Sequence, residues 1–150
     1  RRRAAAVSHF RLWTECFEKK EPILVLEHDA FFIKKLDYQY LLDSKYDIIG
    51  INNPLGATRR AQLFHDIIKK NKKDIQPVPT IDEFNIPQGL AGNSAYIIKP
   101  SGAEKMIELV FKYGLWPNDA LMCKQLVDNL GVSKTFYTRV QGLISTTTQH

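Results

Sequence analysis

The sequence predicts an α/β domain in which helices flank a mostly parallel central sheet. One reason is the presence of short, continuous apolar runs such as Ile23–Leu26, which are typical of strands buried on both faces. A second is that these runs alternate with segments whose apolar residues recur at helical spacing, the pattern of α/β proteins. A third is a length of 150 residues without an internal repeat, which suits one domain.

The predicted helices follow from apolar residues that recur every three to four positions. The first covers residues 4–19 and ends before Pro22, because proline disfavours a helical residue before itself. The last starts at Pro117 or Asn118 and continues as far as Leu130. The others are a short helix over residues 37–43, a basic helix over residues 59–71, and a helix opened by Pro100-Ser101-Gly102.

The predicted strands are short apolar segments separated by turn residues. Residues 52–56 form a loop between two of them, by their asparagines, proline and glycine. Residues 74–90 contain three prolines and a glycine and are predicted to be irregular, and loops of this length are often lids or binding loops. The strands are residues 23–26, residues 47–51, residues 95–98 and a last one near residues 135–140.

The composition is that of a globular protein, with 44% hydrophobic and 25% charged residues. No apolar run approaches the roughly 20 residues that cross a bilayer, so we predict a soluble protein without a membrane span. The formal net charge of +5 comes largely from residues 1–3 and the lysines of residues 69–73. That lysine run is typical of a solvated helix end, and a phosphate-bearing partner is the second interpretation. No motif of a nucleic-acid-binding protein accompanies the charge.

Cys16 and Cys123 are the only cysteines, and each lies in a predicted helix. We therefore expect no disulfide, a structural role for both thiols and a reducing compartment, the cytoplasm. The chain has no initiator Met, and its start is too short and too polar for a signal peptide. We expect it to be the remainder of a longer protein.

Two acidic residues follow the first predicted strand directly, in Glu27-His28-Asp29. Ligands of open α/β sheets bind beyond the carboxyl ends of strands. If strand geometry persists, Glu27 and Asp29 point to the same side and can share a divalent ion. Their oxygen atoms suit Mg²⁺ or Mn²⁺, and an imidazole such as His28 favours the softer Mn²⁺. In the alternative, one acid caps the following turn and the other is solvated.

Other polar segments have two interpretations each. Asp119 lies at a predicted helix start. Its negative charge can stabilise the helix by interacting with the helix dipole, or it can act as a general base. Asp82-Glu83 in the long loop is taken as solvated charge, and Ser8-His9 as a structural part of the first helix. The glycine-rich residues 89–94 allow close approach of a ligand or a tight start of the following strand.

Four segments, in order along nearly the whole chain, share their pattern with one known family. They are Ala6-Val7-Ser8-His9-Phe10-Arg11-Leu12-Trp13, Pro22-Ile23-Leu24-Val25-Leu26-Glu27-His28-Asp29-Ala30, Gly92-Asn93-Ser94-Ala95-Tyr96-Ile97-Ile98 with Gly102-Ala103, and Trp116-Pro117-Asn118-Asp119. Together they resemble glycosyltransferase family 25, which includes lipooligosaccharide galactosyltransferases and the collagen hydroxylysine galactosyltransferases.

The resemblance implies a GT-A-type fold and an inverting, metal-dependent transferase. It would move a hexose, galactose, from a UDP-sugar donor to a glycan or hydroxylated protein acceptor, as in lipopolysaccharide biosynthesis. A divalent ion, Mn²⁺ or Mg²⁺, would act as a Lewis acid on the leaving diphosphate. Glu27 and Asp29 would hold the ion, and Asp119 would be the catalytic base. The donor or acceptor pocket would be lined by Ser8, His9, Asn93 and Ser94.

The chain departs from the family pattern in two places. The family's central acid is replaced by His28, which changes the metal preference or the number of acids. The family also has a strand and a helix before the Ser-His segment, and this chain begins at Arg1, too late to supply them. These departures favour the alternative function, a non-catalytic binding or assembly module that keeps the fold. A basic nucleic-acid-binding domain is the last alternative, resting on net charge only.

Overall fold

The computed structural model describes residues 2–57, 60–81 and 87–142. Its helices are α1 (Arg2–Lys19), α2 (Tyr38–Leu42), α3 (Ala61–Lys70), α4 (Pro100–Tyr113) and α5 (Asn118–Leu121). Its strands are β1 (Ile23–Leu26), β2 (Ala30–Phe32), β3 (Ile48–Gly50), β4 (Ile75–Pro77), β5 (Ala95–Ile98), β6 (Leu130–Ser133) and β7 (Thr138–Val140). In this part of the chain, no helix is long and apolar enough to span a membrane.

The described strands form a mixed five-stranded sheet in the order β1-β5-β3-β6-β4, and β2 pairs with β7 in a separate two-stranded sheet. The main sheet is mostly antiparallel, with β3 and β6 as its parallel pair in the described ranges. The prediction of an α/β class is confirmed, and the prediction of a mostly parallel sheet is wrong. A continuous apolar run indicates that both faces of a strand are covered, but it does not encode strand direction.

Strand β5 reverses the chain direction between β1 and β3, since it runs antiparallel to both. The carboxyl ends of β1, β3 and β6 therefore lie at one edge of the sheet, where β5 begins. The register fixes this edge, because Leu26 pairs with Ala95 and Gly50 pairs with both Tyr96 and Val132. We call it the β1–β3–β6 edge.

Apolar side chains fill both faces of this sheet, in agreement with the period-2 alternation of strands. On β5, Tyr96 and Ile98 join the larger hydrophobic cluster, with residues of α1 and α4, while Ala95 and Ile97 join the smaller one. Helices α1 and α4 pack against each other over the first face. Strand β1 differs from the prediction of burial on both faces, because it is an edge strand in which only Val25 is buried.

The chain after α5 also differs from the prediction. The predicted helix through Leu130 ends at Leu121, and Leu130 instead begins β6. The segment before β5 prevents its continuation, because the backbone N–H of Lys124 donates to the carbonyl of Gln88 at 2.9 Å. Cys123 and Val127 are buried but not helical. Their helix-like spacing therefore reflects contact with the core and does not indicate a helix. Strand β4, inside the predicted irregular stretch, and strand β2 were not predicted.

Gly131 on β6 lies under the ring of Tyr46. A Cβ added to Gly131 would be 2.5 Å from Cγ of Tyr46, far inside van der Waals contact. We therefore expect Gly131→Ala to lower the free energy of unfolding by about 1–3 kcal/mol, the usual cost of overpacking a core. Urea unfolding checks this value, and the cost should shrink in a Tyr46→Leu background. An equal cost in both backgrounds would contradict the clash as its cause.

Candidate functional site

Backbone hydrogen bonds along the β1–β3–β6 edge bring distant polar residues side by side. The N–H of Glu27 donates to the carbonyl of Ser94 at 2.8 Å, which fixes the end of β1 to the start of β5. The N–H of Asn53 donates to the carbonyl of Thr138 at 2.7 Å, which fixes the loop after β3 to β7. The predicted acidic segment and the glycine-rich segment are therefore neighbours in space.

The strand does not continue through the two predicted metal ligands. It ends at Leu26, and the N–H of Ala30 donates to the carbonyl of Glu27 at 3.0 Å, closing a turn. The condition for Glu27 and Asp29 to share a side through strand geometry, that the strand continues past Leu26, is therefore not met. Within residues 2–57, 60–81 and 87–142, no three His, Cys, Asp or Glu side chains come together as a ready-made metal site. The assignment of both acids to a metal stays a prediction.

Tyr96 organises a buried hydrogen-bond network beneath Glu27. Trp13 donates its indole N–H to the Tyr96 hydroxyl at 2.9 Å, and Nδ1 of His9 lies 2.7 Å from the same oxygen. Since the oxygen accepts from Trp13, its own proton can go to Nδ1 of His9, which leaves the ring proton on Nε2. Nε2 lies 3.5 Å from Oε1 of Glu27, which brings this network next to the glutamate.

Burial keeps the tyrosine hydroxyl of this network neutral. Burial raises the pKa of Tyr96 well above its ordinary value, the hydrogen bond from Trp13 opposes this shift, and the negative charge of Glu27 adds to it. Tyr96 is therefore a positioning group for His9 and Glu27 rather than a proton acceptor. The side chain of His28 is exposed.

Several buried polar atoms at this edge have no hydrogen-bond partner among the described residues. Both amide atoms of Asn93, Oγ of Ser94 and Oδ1 of Asp29 are such atoms. Asn93 and Ser94 are only 8% and 3% exposed, so solvent does not readily replace a partner. Buried polar groups are normally hydrogen-bonded, and each one left unpaired costs about 1–3 kcal/mol. This concentration of unpaired groups is a mark of a ligand-binding site.

Asn52 and Gly92 shape the backbone around these atoms. The amide of Asn52 donates to the carbonyl of Ala91 at 2.8 Å, which holds the glycine-rich segment against the loop after β3. Gly92 has a φ of +83°, and an added Cβ would lie 2.7 Å from Cβ of Ala57. Both its conformation and its surroundings therefore require glycine. The close-approach interpretation of residues 89–94 fits this packing.

The remaining predicted site residues lie outside this cluster of contacts. Asp119 is exposed in the first turn of α5, which packs against α1 and α4. The side chain of Ser8 is exposed, and its hydroxyl donates to the carbonyl of Ala4 at 3.0 Å within α1. No described contact links Ser8 or Asp119 to Glu27. Asp82-Glu83 lies outside the described residues.

Sequence reasoning missed four residues of this site: Trp13, Asn52, Tyr96 and Thr138. The sequence pattern indicates apolar core positions for Trp13 and Tyr96. The indole N–H and the tyrosine hydroxyl need hydrogen-bond partners when buried, and this need is the signal that could have paired the two residues. Asn52 was assigned to a loop by its residue type. Oγ1 of the fully buried Thr138 has no partner among the described residues, and nothing in the sequence placed β7 beside this edge.

Both cysteines are free and buried, as predicted. Burial raises the pKa of the Cys16 thiol to about 11, against a smaller opposing effect of a backbone hydrogen bond at Ile23. Burial also raises the pKa of Cys123. Thiols that stay protonated at neutral pH are poor nucleophiles and poor metal ligands, so neither contributes chemistry to the site.

Comparison with known proteins identifies the family of the chain. No curated protein and no solved structure matches the chain. A family model, that of glycosyltransferase family 25 (LPS biosynthesis protein), matches residues 3–122. The match includes α1, the turn after β1, the glycine-rich segment, β5 and Asp119. The chain belongs to glycosyltransferase family 25 and is a glycosyltransferase.

Proposed function

We propose that this protein is a metal-dependent, inverting glycosyltransferase that moves a hexose, galactose, from a UDP-sugar to a glycan or hydroxylated acceptor. The observation that carries the proposal is the group of buried, unpaired polar atoms on Asp29, Asn93 and Ser94 beside Glu27, in a chain of family 25. A nucleotide-sugar offers both the hydroxyl and the phosphate groups that such atoms need. The free, buried thiols support a cytoplasmic location.

Asp29 and Glu27 would hold the divalent ion. The fit rests on Oδ1 of Asp29, a buried carboxylate oxygen without a partner in the described part of the chain. Mg²⁺ is commonly bound by one or two carboxylates, with substrate phosphates and water completing its ligands, so two acids are enough. When bound, the ion supplies positive charge that stabilises the leaving diphosphate. His9 orients Glu27 from below, at 3.5 Å from its Oε1.

Asp119 would act as the general base. Its carboxylate is exposed, so it can reach a hydroxyl of an incoming acceptor. The acceptor oxygen would form a bond to the anomeric carbon on the face opposite the diphosphate. The bond between that carbon and the diphosphate oxygen breaks as the hydroxyl proton passes to Asp119. The direct displacement inverts the configuration of the sugar carbon.

Thermal unfolding with UDP and MnCl₂ tests the donor site. At 100 times its dissociation constant, a ligand stabilises a protein by about 2.7 kcal/mol, which for a chain of this size raises the melting temperature by about 5–10 °C. We expect this shift for the wild type and its loss in Asp29→Asn. Glu104→Gln, an exposed acid on α4, should keep it.

The outcomes separate two functions. A rise in melting temperature that is present in the wild type and absent in Asp29→Asn supports the transferase site. No shift with UDP and MnCl₂ in the wild type would leave a binding or assembly module that keeps the fold. A shift that survives in Asp29→Asn would place the nucleotide elsewhere.

A further inference from the structure

Lysine residues from three separate segments lie near one another at the far end of the β1–β3–β6 edge. Lys69, near the end of α3, donates from Nζ to the carbonyl of Lys134 at 2.8 Å. Lys134 follows β6 and donates from Nζ to the carbonyl of Asn71 at 2.8 Å. Lys34 follows β2, and its backbone N–H donates to the carbonyl of Tyr137 at 3.3 Å. We call Lys34, Lys69 and Lys134 the three-lysine cluster.

The cluster is positively charged without a matching acid. No carboxylate in the described ranges forms an ion pair with any of its lysines. Asp74, whose backbone carbonyl accepts from the N–H of Lys134, directs its carboxylate to the hydroxyl of Tyr40, from which it accepts a hydrogen bond. Folding therefore holds these cations close together, and an anion would relieve their repulsion.

The surroundings of Lys69 strengthen this interpretation. Its Nζ lies 4.3 Å from the centre of the Phe136 ring, so part of the side chain is packed against an apolar surface. Burial lowers the pKa of Lys69, and the positive charges of Lys34 and Lys134 lower it further. Each ammonium group has three donors, and each hydrogen bond to a carbonyl uses one of them. Donors of Lys69 and Lys134 therefore remain available to a ligand.

The position of the cluster relates it to the proposed donor site. β1 and β6 are separated by two strands, so three strand spacings, about 14 Å, lie between their carboxyl ends. Lys134 and Glu27 follow these two ends. A shallow, open depression of about 450 Å³ is lined by residues 32–36, Lys34 among them. A saccharide that lies along the edge can reach both places.

We propose that the three-lysine cluster binds phosphate groups carried by the acceptor saccharide. This inference rests on the proposed function, because it treats the Glu27 end of the edge as the donor site. A donor diphosphate held near Glu27 and Asp29 would lie three strand spacings, about 14 Å, from the end of β6 that Lys134 follows. The cluster is thus left for an anionic group on the other substrate, and its lysines select a phosphorylated acceptor over a neutral one.

Nuclear magnetic resonance titrations with glucose 6-phosphate, glucose and UDP test the proposal on the whole chain. Glucose 6-phosphate should shift the backbone amide signals of residues 33–36, 69–73 and 134–137, and glucose should not. UDP with Mg²⁺ should shift residues 27–30 and 92–95 instead. Binding of glucose 6-phosphate should weaken as salt is raised, because added ions screen exposed charges.

Charge-removing variants make the test quantitative. Lys34→Gln and Lys69→Gln should each weaken glucose 6-phosphate binding about fivefold, the upper range for an exposed ion pair. Lys45→Gln is the matched control, since Lys45 is exposed and precedes β3 at the opposite edge of the sheet. Lys34 makes no side-chain hydrogen bond to any described residue. Its substitution therefore removes a charge without removing a hydrogen bond that supports the fold.

The outcomes distinguish the two proposals. Equal binding of glucose 6-phosphate and glucose, or unchanged binding in Lys34→Gln and Lys69→Gln, would overturn the acceptor site. Either result would leave the proposed donor site standing, provided that UDP still raises the melting temperature. If UDP binding weakened in the lysine variants, the cluster would belong to the donor, and the acceptor assignment would be wrong.

Discussion

Replacing Asp119 with asparagine should lower kcat by about 10²–10⁴-fold and leave UDP binding and the melting temperature near their wild-type values. General-base catalysis contributes rate enhancements of this size, and an amide cannot take the acceptor proton. Asp119 is exposed and α5 is only four residues long, so the substitution removes little that stabilises the fold. Transfer assays with the donor at saturation, together with thermal unfolding, measure both quantities.

Asp128→Asn is the matched control for this experiment, because Asp128 is an exposed acid in the turn before β6. It should keep wild-type kcat. A normal kcat in Asp119→Asn would assign the base to another residue. Loss of activity together with a large fall in melting temperature would identify Asp119 as a structural residue.

Tyr96→Phe should lower the free energy of unfolding by about 3 kcal/mol, which corresponds to a fall in melting temperature of roughly 10 °C. The substitution leaves the buried indole N–H of Trp13 and Nδ1 of His9 without their shared partner. Each unpaired buried group costs about 1–3 kcal/mol. Urea unfolding at neutral pH measures the change directly.

The same substitution should weaken metal-assisted UDP binding, since His9 then holds Glu27 less firmly. Tyr113→Phe is the control, because Tyr113 is largely exposed and its hydroxyl makes no hydrogen bond to any described residue. A loss of less than about 1 kcal/mol in Tyr96→Phe would contradict the central place of this hydroxyl. Equal losses in both variants would show that the bonds of the Tyr96 hydroxyl to Trp13 and His9 are not the source of the loss.

The elements with the longest patterns were predictable from the sequence, and the sheet direction was not. α1 and α4 have regular apolar spacing and a clear start or stop at proline, and both are confirmed with small changes at their ends. The four-residue run of β5 is confirmed as a strand, but its antiparallel pairing with two neighbours depends on contacts between residues far apart in sequence. Local pattern contains no such information.

The candidate site was predictable to a similar extent. Glu27, Asn93 and Ser94 were predicted as site residues through the family resemblance, and a backbone hydrogen bond joins Glu27 to Ser94. The geometric reason given for pairing Glu27 with Asp29 failed, because a turn rather than a strand connects them. The support beneath Glu27 was not predicted, since Tyr96 is indistinguishable from an apolar residue in a hydrophobic run until its partners are known.

The two-stranded β2–β7 sheet has a consequence for ligand affinity. The backbone carbonyl of Asp29 accepts from the N–H of Gln141 at 2.9 Å, just beyond the pairing of Ala30 with Val140. β7 also carries backbone hydrogen bonds to the residues after β3, so opening of this ribbon has to break those bonds as well as its own pairing. The ribbon sets the placement of Asp29. A ligand held by that acid binds the molecules in which the ribbon is closed, so its measured affinity is its intrinsic affinity multiplied by the fraction of such molecules.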